Sequence, residues 1–459
     1  MSAPSGPSTA LRSAVLGTLL ARVAVLPLGL LQGMLLARLL GPAGLGQYSA
    51  LLTDINIVVT VLALGLPGAL TVLVGERPGR LRRLLRLGLS AWGALVVLPA
   101  ALVIALCLVL AHRSAWLWTW LLRQPAEVLL IAVAVVVQAL RDVVNSLLSG
   151  TQQFHAQNRQ SLYLSLFQLA LIGLLVLFAA PAQAPSDAAR LSPLSAAAIQ
   201  LISNVLLVVL GARALFTVAR IHKLWTPAGE AAPPEDSGLR GRTLGIALRN
   251  LLHIIPDMLL LRIDVYLIQR LLPGGSYQQQ LGLYQAGVRV AELVFLVPGT
   301  LNSVLFAKAA AREDLTRATL VGAKLSFYLG LLALVGMAVV GRPALLVLYG
   351  ARFGGSFVPC LLVLLGCCTL CFSSPLAGTL AGVGAYPRSV ILAQGVALVV
   401  NVVANLILIP RYDIVGAAAA SALAYSVSAA VITTAFAVRF QVPFRELLRL
   451  ESPLSLLRR

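Results

Sequence analysis

The side chains able to do chemistry in this chain are charged groups inside long apolar segments. An ionisable side chain is costly within a membrane, so each is a candidate functional group. Guanidinium groups bind phosphate oxygens bidentately, whereas a carboxylate there can take up a proton or bind sodium. With loop and segment-edge charges set aside, seven arginines and five acids remain: Arg22, Arg38, Arg141, Arg249, Arg262, Arg270, Arg289, Asp54, Asp142, Asp257, Asp264 and Glu292.

The seventh apolar segment holds the densest of these patterns. Arg249, His253 and Asp257 are spaced i, i+4, i+8, and Asp264 follows seven residues later. On a helix these four residues share a stripe about 80° wide. Pro256 lies within the stripe and is expected to kink the helix and free a carbonyl group. Asp257 and Asp264 are therefore the candidates for ion coupling.

Polar stripes on other segments predict a shared polar cavity. Glutamine, arginine and acid recur at helical spacing in the fourth and eighth segments, and the first segment adds Arg22 and Gln32. The competing hypothesis is structural ion pairing, for example Arg289 with Glu292, and His253 by itself fits a packing role. The candidate cavity residues are Arg22, Gln32, Arg141, Arg249, His253, Arg289 and Glu292.

Motifs for catalysis or for a bound cofactor are not found in the sequence. It has no phosphate-cradling Gly-Lys-Ser/Thr loop, so ATP is not expected to drive the protein directly. Cys368 and Cys371 have the spacing of a zinc or redox pair, but no second ligand pair accompanies them. We predict no metal, no cofactor and no enzymatic activity.

Composition identifies the elements that must position these residues. Hydrophobic residues make up 59% of the 459 residues and charged residues only 11%, and the mean hydropathy is +0.92. Soluble domains carry roughly 25% charged residues. The chain is therefore predicted to be an all-α integral membrane protein. Its net charge of +19 is attributed to loops that face anionic lipid headgroups, and nucleic-acid binding is not expected.

Twelve apolar windows are each long enough to cross a bilayer of about 30 Å. Their positions are 13–40, 46–75, 88–111, 126–149, 160–180, 195–212, 244–271, 281–307, 322–348, 357–380, 389–409 and 414–438. With the N-terminus inside, the inner segments carry 22 Lys and Arg residues and the outer segments carry six. This bias predicts that both termini are cytoplasmic.

The sequence divides into two halves that repeat. Small-residue turns and single charges recur 228 to 236 residues apart, as in the pairs Tyr48 with Tyr284, Gly150 with Gly378, and Arg159 with Arg388. Six segments precede the repeat, so both halves enter the membrane in the same direction, and Gln32 becomes the counterpart of Asp264. The predicted domains are a six-helix lobe at 1–212, a cytoplasmic linker at 213–243, a second lobe at 244–438 and an amphipathic cytoplasmic tail at 439–459.

Two stretches of the chain resemble a known family. The segment ARLLGPAGLGQYSALLTDINIVVTVLALGLPGAL (37–70) looks like the opening hairpin of Wzx-type polysaccharide flippases. The segments GTLAGVGAYPRSVILAQ (378–394) and NVVANLILIPRYDIVGAAAASALAYSVSAA (401–430) are similar to that family's eleventh and twelfth helices. These flippases belong to the multidrug/oligosaccharidyl-lipid/polysaccharide (MOP) exporter superfamily.

The resemblance implies two lobes of helices around a central cavity, alternating access, and export of a saccharide linked to a polyprenyl (di)phosphate. It also implies a location in the bacterial cytoplasmic (inner) membrane, possible H+ or Na+ coupling, and possible partners in polysaccharide assembly. Two alternatives stay open. One is an ion-coupled multidrug or cation antiporter of the same superfamily, and the other is a membrane-embedded glycan polymerase or ligase.

Overall fold

The structure is a computed structural model in which every described range is dominated by helix. It describes residues 7–76, 81–110, 125–151, 154–178, 191–221, 238–272, 276–310, 315–384 and 388–448. In apolar surroundings a helix satisfies its backbone hydrogen bonds within a single segment, so apolar windows of this length fold as helices.

The helices of the first half of the chain are interrupted at short breaks. A π-helical turn at Gly93–Val97 joins the third helix to the fourth. The helices are α1 (Pro7–Leu62), α2 (Leu66–Glu76), α3 (Leu81–Trp92), α4 (Leu98–Leu110), α5 (Pro125–Gly150), α6 (Phe154–Phe178) and α7 (Pro193–Ile221).

The second half has the same character. Short 3-10 turns at Leu293–Phe295 and Ala351–Ser356 link neighbouring helices. The helices are α8 (Leu239–Leu271), α9 (Tyr277–Glu292), α10 (Leu296–Ala310), α11 (Thr316–Tyr349), α12 (Phe357–Gly384), α13 (Arg388–Phe440) and α14 (Phe444–Leu448).

The described parts of the twelve predicted spans are helical except at 63–65, where a turn separates α1 from α2 within the second span. Within the described residues, seven helices are long and apolar enough to cross a membrane by length and composition. Two predicted spans merge in α1, where Gly41 has a φ of 66°, and two merge in α13, where Asp413 has a φ of 50°. The prediction of an all-α, multi-pass membrane protein is confirmed.

The break at Asp413 turns α13 back on itself. A Cβ atom at Gly416 would overlap the backbone at Leu408, and Gln394 accepts a hydrogen bond from Ser428 at 3.1 Å. These pairs are nested around Asp413, as they are in an antiparallel hairpin. The two arms of α13 therefore lie side by side and present their side chains to the same neighbours.

The chain forms two compact units. The N-terminal unit comprises the described residues of Ala24–Leu36 and Tyr48–Ile255, and the C-terminal unit those of Met1–Val23, Ala37–Gln47 and Pro256–Arg459. The boundary within α8 falls at Pro256, where the sequence predicted a kink. The predicted lobes, linker and tail stay predictions, and residues 222–237 of the linker and 449–459 of the tail lie outside the described ranges.

Each unit has its own apolar core. In the N-terminal unit, Leu70, Leu147 and Leu148 are completely buried within a cluster formed by α2, α3, α5 and α7. In the C-terminal unit, Leu376 and Phe436 are equally buried where α12 meets the second arm of α13.

The two glycine turns that revealed the repeat pack against each other within the C-terminal unit. A Cβ atom at Gly46 would overlap the carbonyl of Gln278, and a Cβ atom at Gly282 would overlap the carbonyl of Pro42. Pro42 and Gln278 are separated by the same 236 residues as Gly46 and Gly282. The contact is therefore reciprocal.

This backbone contact predicts a strong effect of a single methyl group. Gly282→Ala should lower the melting temperature by roughly 5 °C or more, because the added carbon has no space and the backbones must separate. Gly336→Ala is the control, since nothing lies within 4 Å of a Cβ atom there. Thermal melting of the two purified variants measures the difference, and equal melting temperatures would contradict the close packing.

Candidate functional site

Asp264 lies at the centre of a buried polar cluster formed by α8, α9 and both arms of α13. Its Oδ2 atom accepts hydrogen bonds from the hydroxyl groups of Tyr284 at 2.6 Å and Ser421 at 2.7 Å. Its Oδ1 atom accepts one from Nδ2 of Asn405 at 3.0 Å. Asn401 lies one turn before Asn405 on the same arm. We call these five residues the Asp264 cluster.

The Asp264 cluster is enclosed and rich in oxygen atoms. Asp264 is 2% exposed, and Asn401, Asn405 and Ser421 are completely buried. Three oxygen atoms, one from Asp264 and two from Asn401, lie within 3.0 Å of Nδ2 of Asn405. That nitrogen carries only two hydrogens, so at most two of the three oxygens can accept a hydrogen bond from it.

Two atoms of the cluster are buried without a hydrogen-bond partner: Oδ1 of Asn405 and Nδ2 of Asn401. Burying an amide group unpaired is unfavourable. Rotating the Asn405 amide by 180° would bring its own oxygen towards the three that surround Nδ2. The cluster would then offer one negative charge, which balances one monovalent cation, and several neutral oxygen atoms that can coordinate it.

Asp257 forms a second, smaller arrangement one heptad away on α8. Its Oδ1 atom accepts a hydrogen bond from Nε2 of Gln394 at 2.9 Å. Gln394 in turn accepts a hydrogen bond from Ser428. Asp257 and Gln394 are half-buried, and Ser428 is 1% exposed. We call these three residues the Asp257 layer.

Glu292, at the end of α9, is paired with Arg262 of α8. Nη1 of Arg262 lies 3.2 Å from one carboxylate oxygen of Glu292, and Nη2 donates to the other at 3.3 Å. The two side chains are 30% and 24% exposed. Sequence spacing placed Arg289 beside Glu292, but the structure supplies a cation from another helix, three turns before the end of α8. Arg289 itself is half-buried on α9.

The ion pair of Arg262 with Glu292 predicts a stability effect that a second substitution reverses. Arg262→Gln should destabilise the protein by about 1–3 kcal/mol, because a partly buried carboxylate loses its cation. The double variant Arg262→Gln/Glu292→Gln should regain most of this loss. Melting temperatures of both variants test the coupling. A double variant no more stable than Arg262→Gln would show that the loss of stability does not come from the unpaired carboxylate of Glu292.

The N-terminal unit holds Arg141 and Arg249. Arg141 donates to Asp142 through Nε at 3.0 Å and Nη2 at 2.8 Å, and through Nη1 to Asn204 at 2.9 Å. Arg249 is exposed and donates to the carbonyl of Gly245 on its own helix at 3.2 Å. Among the described residues, no carboxylate lies within ion-pair distance of Arg249.

Two further candidates are less informative. His253 is half-buried on α8 in the N-terminal unit. Arg22 lies within α1, but its side chain is outside the described part of the chain. The predicted stripe on α8 is therefore divided at Pro256, with Arg249 and His253 in one unit and Asp257 and Asp264 in the other.

Gln32, the predicted counterpart of Asp264, belongs to a neutral chain of glutamines. Gln32 donates to Gln168 of α6 at 2.8 Å, and Gln168 donates to Gln200 of α7 at 3.0 Å. These residues lie in the first, fifth and sixth spans, which the repeat relates to the seventh, eleventh and twelfth. The same three helices are thus linked by amides in one half and by a carboxylate in the other.

Sequence reasoning missed most partners of the two aspartates. Asn401, Asn405 and Gln394 were not singled out, although their spacing of i, i+4 and i−7 places them on one side of an apolar helix. Tyr284 and Ser421 were noted only as parts of motifs. A search for single polar residues at heptad spacing in the eleventh and twelfth spans would have found Gln394 with Asn401 and Ser421 with Ser428.

Comparison with solved structures shows a shared architecture. The lipid II flippase MurJ in an inward closed conformation matches with a TM-score of 0.65 and 13% identity, over 96% of this chain and 91% of that one. An inward-facing MATE multidrug resistance transporter matches with a TM-score of 0.64 and 14% identity, over 92% and 98%. A MOP-superfamily transporter from Pyrococcus furiosus matches with a TM-score of 0.67 and 15% identity, over 94% and 96%.

Other comparisons add no closer relative. No protein-family model matches the chain, and no curated protein matches it. The TM-scores of 0.64–0.67 show a shared fold, and identities of only 13–15% carry no information on a shared substrate. Because three such structures each match nearly the whole chain, this protein has the fold of the MOP-superfamily transporters.

Proposed function

We propose that this protein is a cation-coupled flippase for a lipid-linked oligosaccharide or polysaccharide precursor. The observation that carries the proposal is the charge balance of the polar residues. Asp142, Asp257, Asp264 and Glu292 are all hydrogen-bonded or ion-paired within the protein, whereas Arg249 is exposed beside no carboxylate of the described residues. An exposed guanidinium with no carboxylate beside it favours an anionic substrate.

The substrate class follows from this charge and from the surrounding lipid. Guanidinium groups match the oxygen atoms of a phosphate or diphosphate. A polyprenyl tail can remain in the hydrocarbon region while only the charged saccharide headgroup passes along polar side chains. The name of one structural neighbour, a lipid II flippase, describes a substrate of this chemical kind for that protein.

The Asp264 cluster is the proposed site of the coupling cation, which is cargo of the cycle rather than a resident cofactor. Its single carboxylate balances one positive charge, and the oxygen atoms of Asn401, Asn405 and Ser421 are ligands for a sodium ion. A coupling proton would bind to the carboxylate of Asp264 and would not need the other oxygen atoms. The buried Oδ1 atom of Asn405, which has no partner, favours sodium.

A multidrug or cation antiporter is the second candidate, because one of the structural neighbours described above is a MATE multidrug resistance transporter. That function requires an acid accessible to a cationic drug. Asp257, which is half-buried, keeps this candidate open.

Reconstituted vesicles distinguish the two functions. Purified protein is placed in liposomes that contain a fluorescent polyprenyl-diphosphate saccharide, and an impermeant quencher reports which leaflet the headgroup occupies. We expect protein-dependent translocation that an imposed sodium gradient accelerates. Cation-coupled efflux of a cationic dye without any translocation of the saccharide would replace the flippase with the antiporter.

We also propose a bacterial cytoplasmic membrane location with both termini and the 213–243 linker inside. A reporter enzyme active only outside the cytoplasm should give no signal when fused at residue 230 and a strong signal when fused at residue 185. The reverse pattern would overturn the orientation.

A further inference from the structure

Asp257 and Asp264 belong to two polar arrangements built by the same three helical segments. In each arrangement α8 contributes a carboxylate, the first arm of α13 contributes an amide and the second arm contributes a hydroxyl group. The Asp257 layer uses Gln394 and Ser428. The Asp264 cluster uses Asn401, Asn405 and Ser421.

The offset between the two arrangements is the same on all three segments. Asp257 lies seven residues before Asp264, Gln394 lies seven before Asn401, and Ser428 lies seven after Ser421. The sign changes on the last segment because α13 reverses at Asp413. Seven residues of helix span about 10.5 Å, so the polar groups of the Asp257 layer lie about 10 Å along the helices from those of the Asp264 cluster.

The buried groups of α13 between the two arrangements include two alanines and the larger Tyr425, which is 3% exposed. Ala397 and Ala424 are completely buried there, and Leu260 of α8 is 1% exposed. The arrangements also differ in openness. Asp264 is surrounded by the other four residues of its cluster and is 2% exposed, whereas Asp257 and Gln394 are half-buried.

We infer that the Asp257 layer is a second, weaker cation site through which the coupling cation reaches and leaves the Asp264 cluster. This inference rests on the proposed sodium coupling. A cation that moves between the Asp264 cluster and water passes a region of low polarity. The Asp257 carboxylate, about 10 Å from the cluster, lowers the electrostatic energy of the cation on this path. Removing the Asp257 charge should slow the exchange of the cation and leave its final binding site intact.

Binding of ²²Na+ to purified protein in detergent measures affinity and exchange separately. Bound ²²Na+ is counted at equilibrium, and its release is then followed after excess unlabelled sodium is added. For Asp257→Asn we expect an equilibrium affinity within about threefold of wild type and a release about tenfold slower. Gln394→Leu, which removes both hydrogen bonds of the layer, should also slow the release of ²²Na+.

Two variants serve as references. Asp413→Asn removes an exposed carboxylate from the tip of the same hairpin and should leave both quantities unchanged. Asp264→Asn should abolish equilibrium binding. Release from Asp257→Asn at the rate of Asp413→Asn would overturn the second site while leaving the sodium site in place. Loss of equilibrium binding in Asp257→Asn would show a single shared site, and absence of ²²Na+ binding by the wild type would overturn sodium coupling and the second site together.

Discussion

Asp264→Asn is expected to abolish the response to sodium while leaving a folded protein. The substitution removes the one negative charge of the cluster and keeps the size of the side chain and one acceptor oxygen, so Tyr284 and Ser421 can still donate to it. Sodium at 100 times its Kd would stabilise the wild type by about 2.7 kcal/mol, and the variant should lose this stabilisation. Gradient-driven translocation should fall by at least tenfold, roughly the effect of 1.4 kcal/mol on a rate.

Melting curves at increasing sodium concentration, with potassium replacing it at constant ionic strength, measure the effect. Gln32→Leu is the matched control, because it disrupts the counterpart glutamine chain without changing any charge. We expect this control to keep the sodium response. A variant Asp264→Asn that is stabilised by sodium as strongly as the wild type would reduce Asp264 to a structural hydrogen-bond acceptor.

The second large effect is expected at Arg249, in the N-terminal unit. Arg249→Gln should lower translocation of the anionic headgroup by about tenfold, because a charge-assisted contact with phosphate is lost. Folding should be near normal, since the exposed side chain donates only to a carbonyl of its own helix. Arg249→Lys should recover part of the activity, because it restores the charge without the bidentate geometry.

Abundance in the membrane, melting temperature and translocation are measured on the same preparations. Arg242→Gln is the control on the same helix, and the exposed ion pair of Arg242 with Glu76, at 2.9 Å, contributes at most about 1 kcal/mol. Full translocation by Arg249→Gln, together with drug-dependent transport, would remove the argument for an anionic substrate and favour the antiporter.

The structural and functional experiments are linked through α8. Arg249, Asp257, Arg262 and Asp264 lie along one helix, yet we expect four different outcomes from substituting them. Arg249 should affect the substrate, Asp257 the rate of cation exchange, Arg262 the stability and Asp264 the cation response. If all four variants changed only stability, α8 would be a structural helix and the transport proposal would lose its basis.

The sequence by itself determined the class of protein and the positions of its helices. Hydropathy is a local property, and a segment that must satisfy its own backbone in lipid has few structures available, so twelve apolar windows were enough to predict twelve helical spans. The recurring turns at Gly46 and Gly282 identified the repeat, and the structure brings these two glycines into direct backbone contact. Asp264 was identified because an isolated acid in an apolar segment is costly.

Only the tertiary structure decided which side chains meet. Residue spacing defines a face of one helix, but it does not say which face of another helix lies opposite. Glu292 is therefore paired with Arg262, 30 residues away, and Asp264 with Asn405 and Ser421, which are 141 and 157 residues away. The reversal of α13 at Asp413 brings both arms to α8, and this long-range packing created the two polar arrangements that no single segment of the sequence contains.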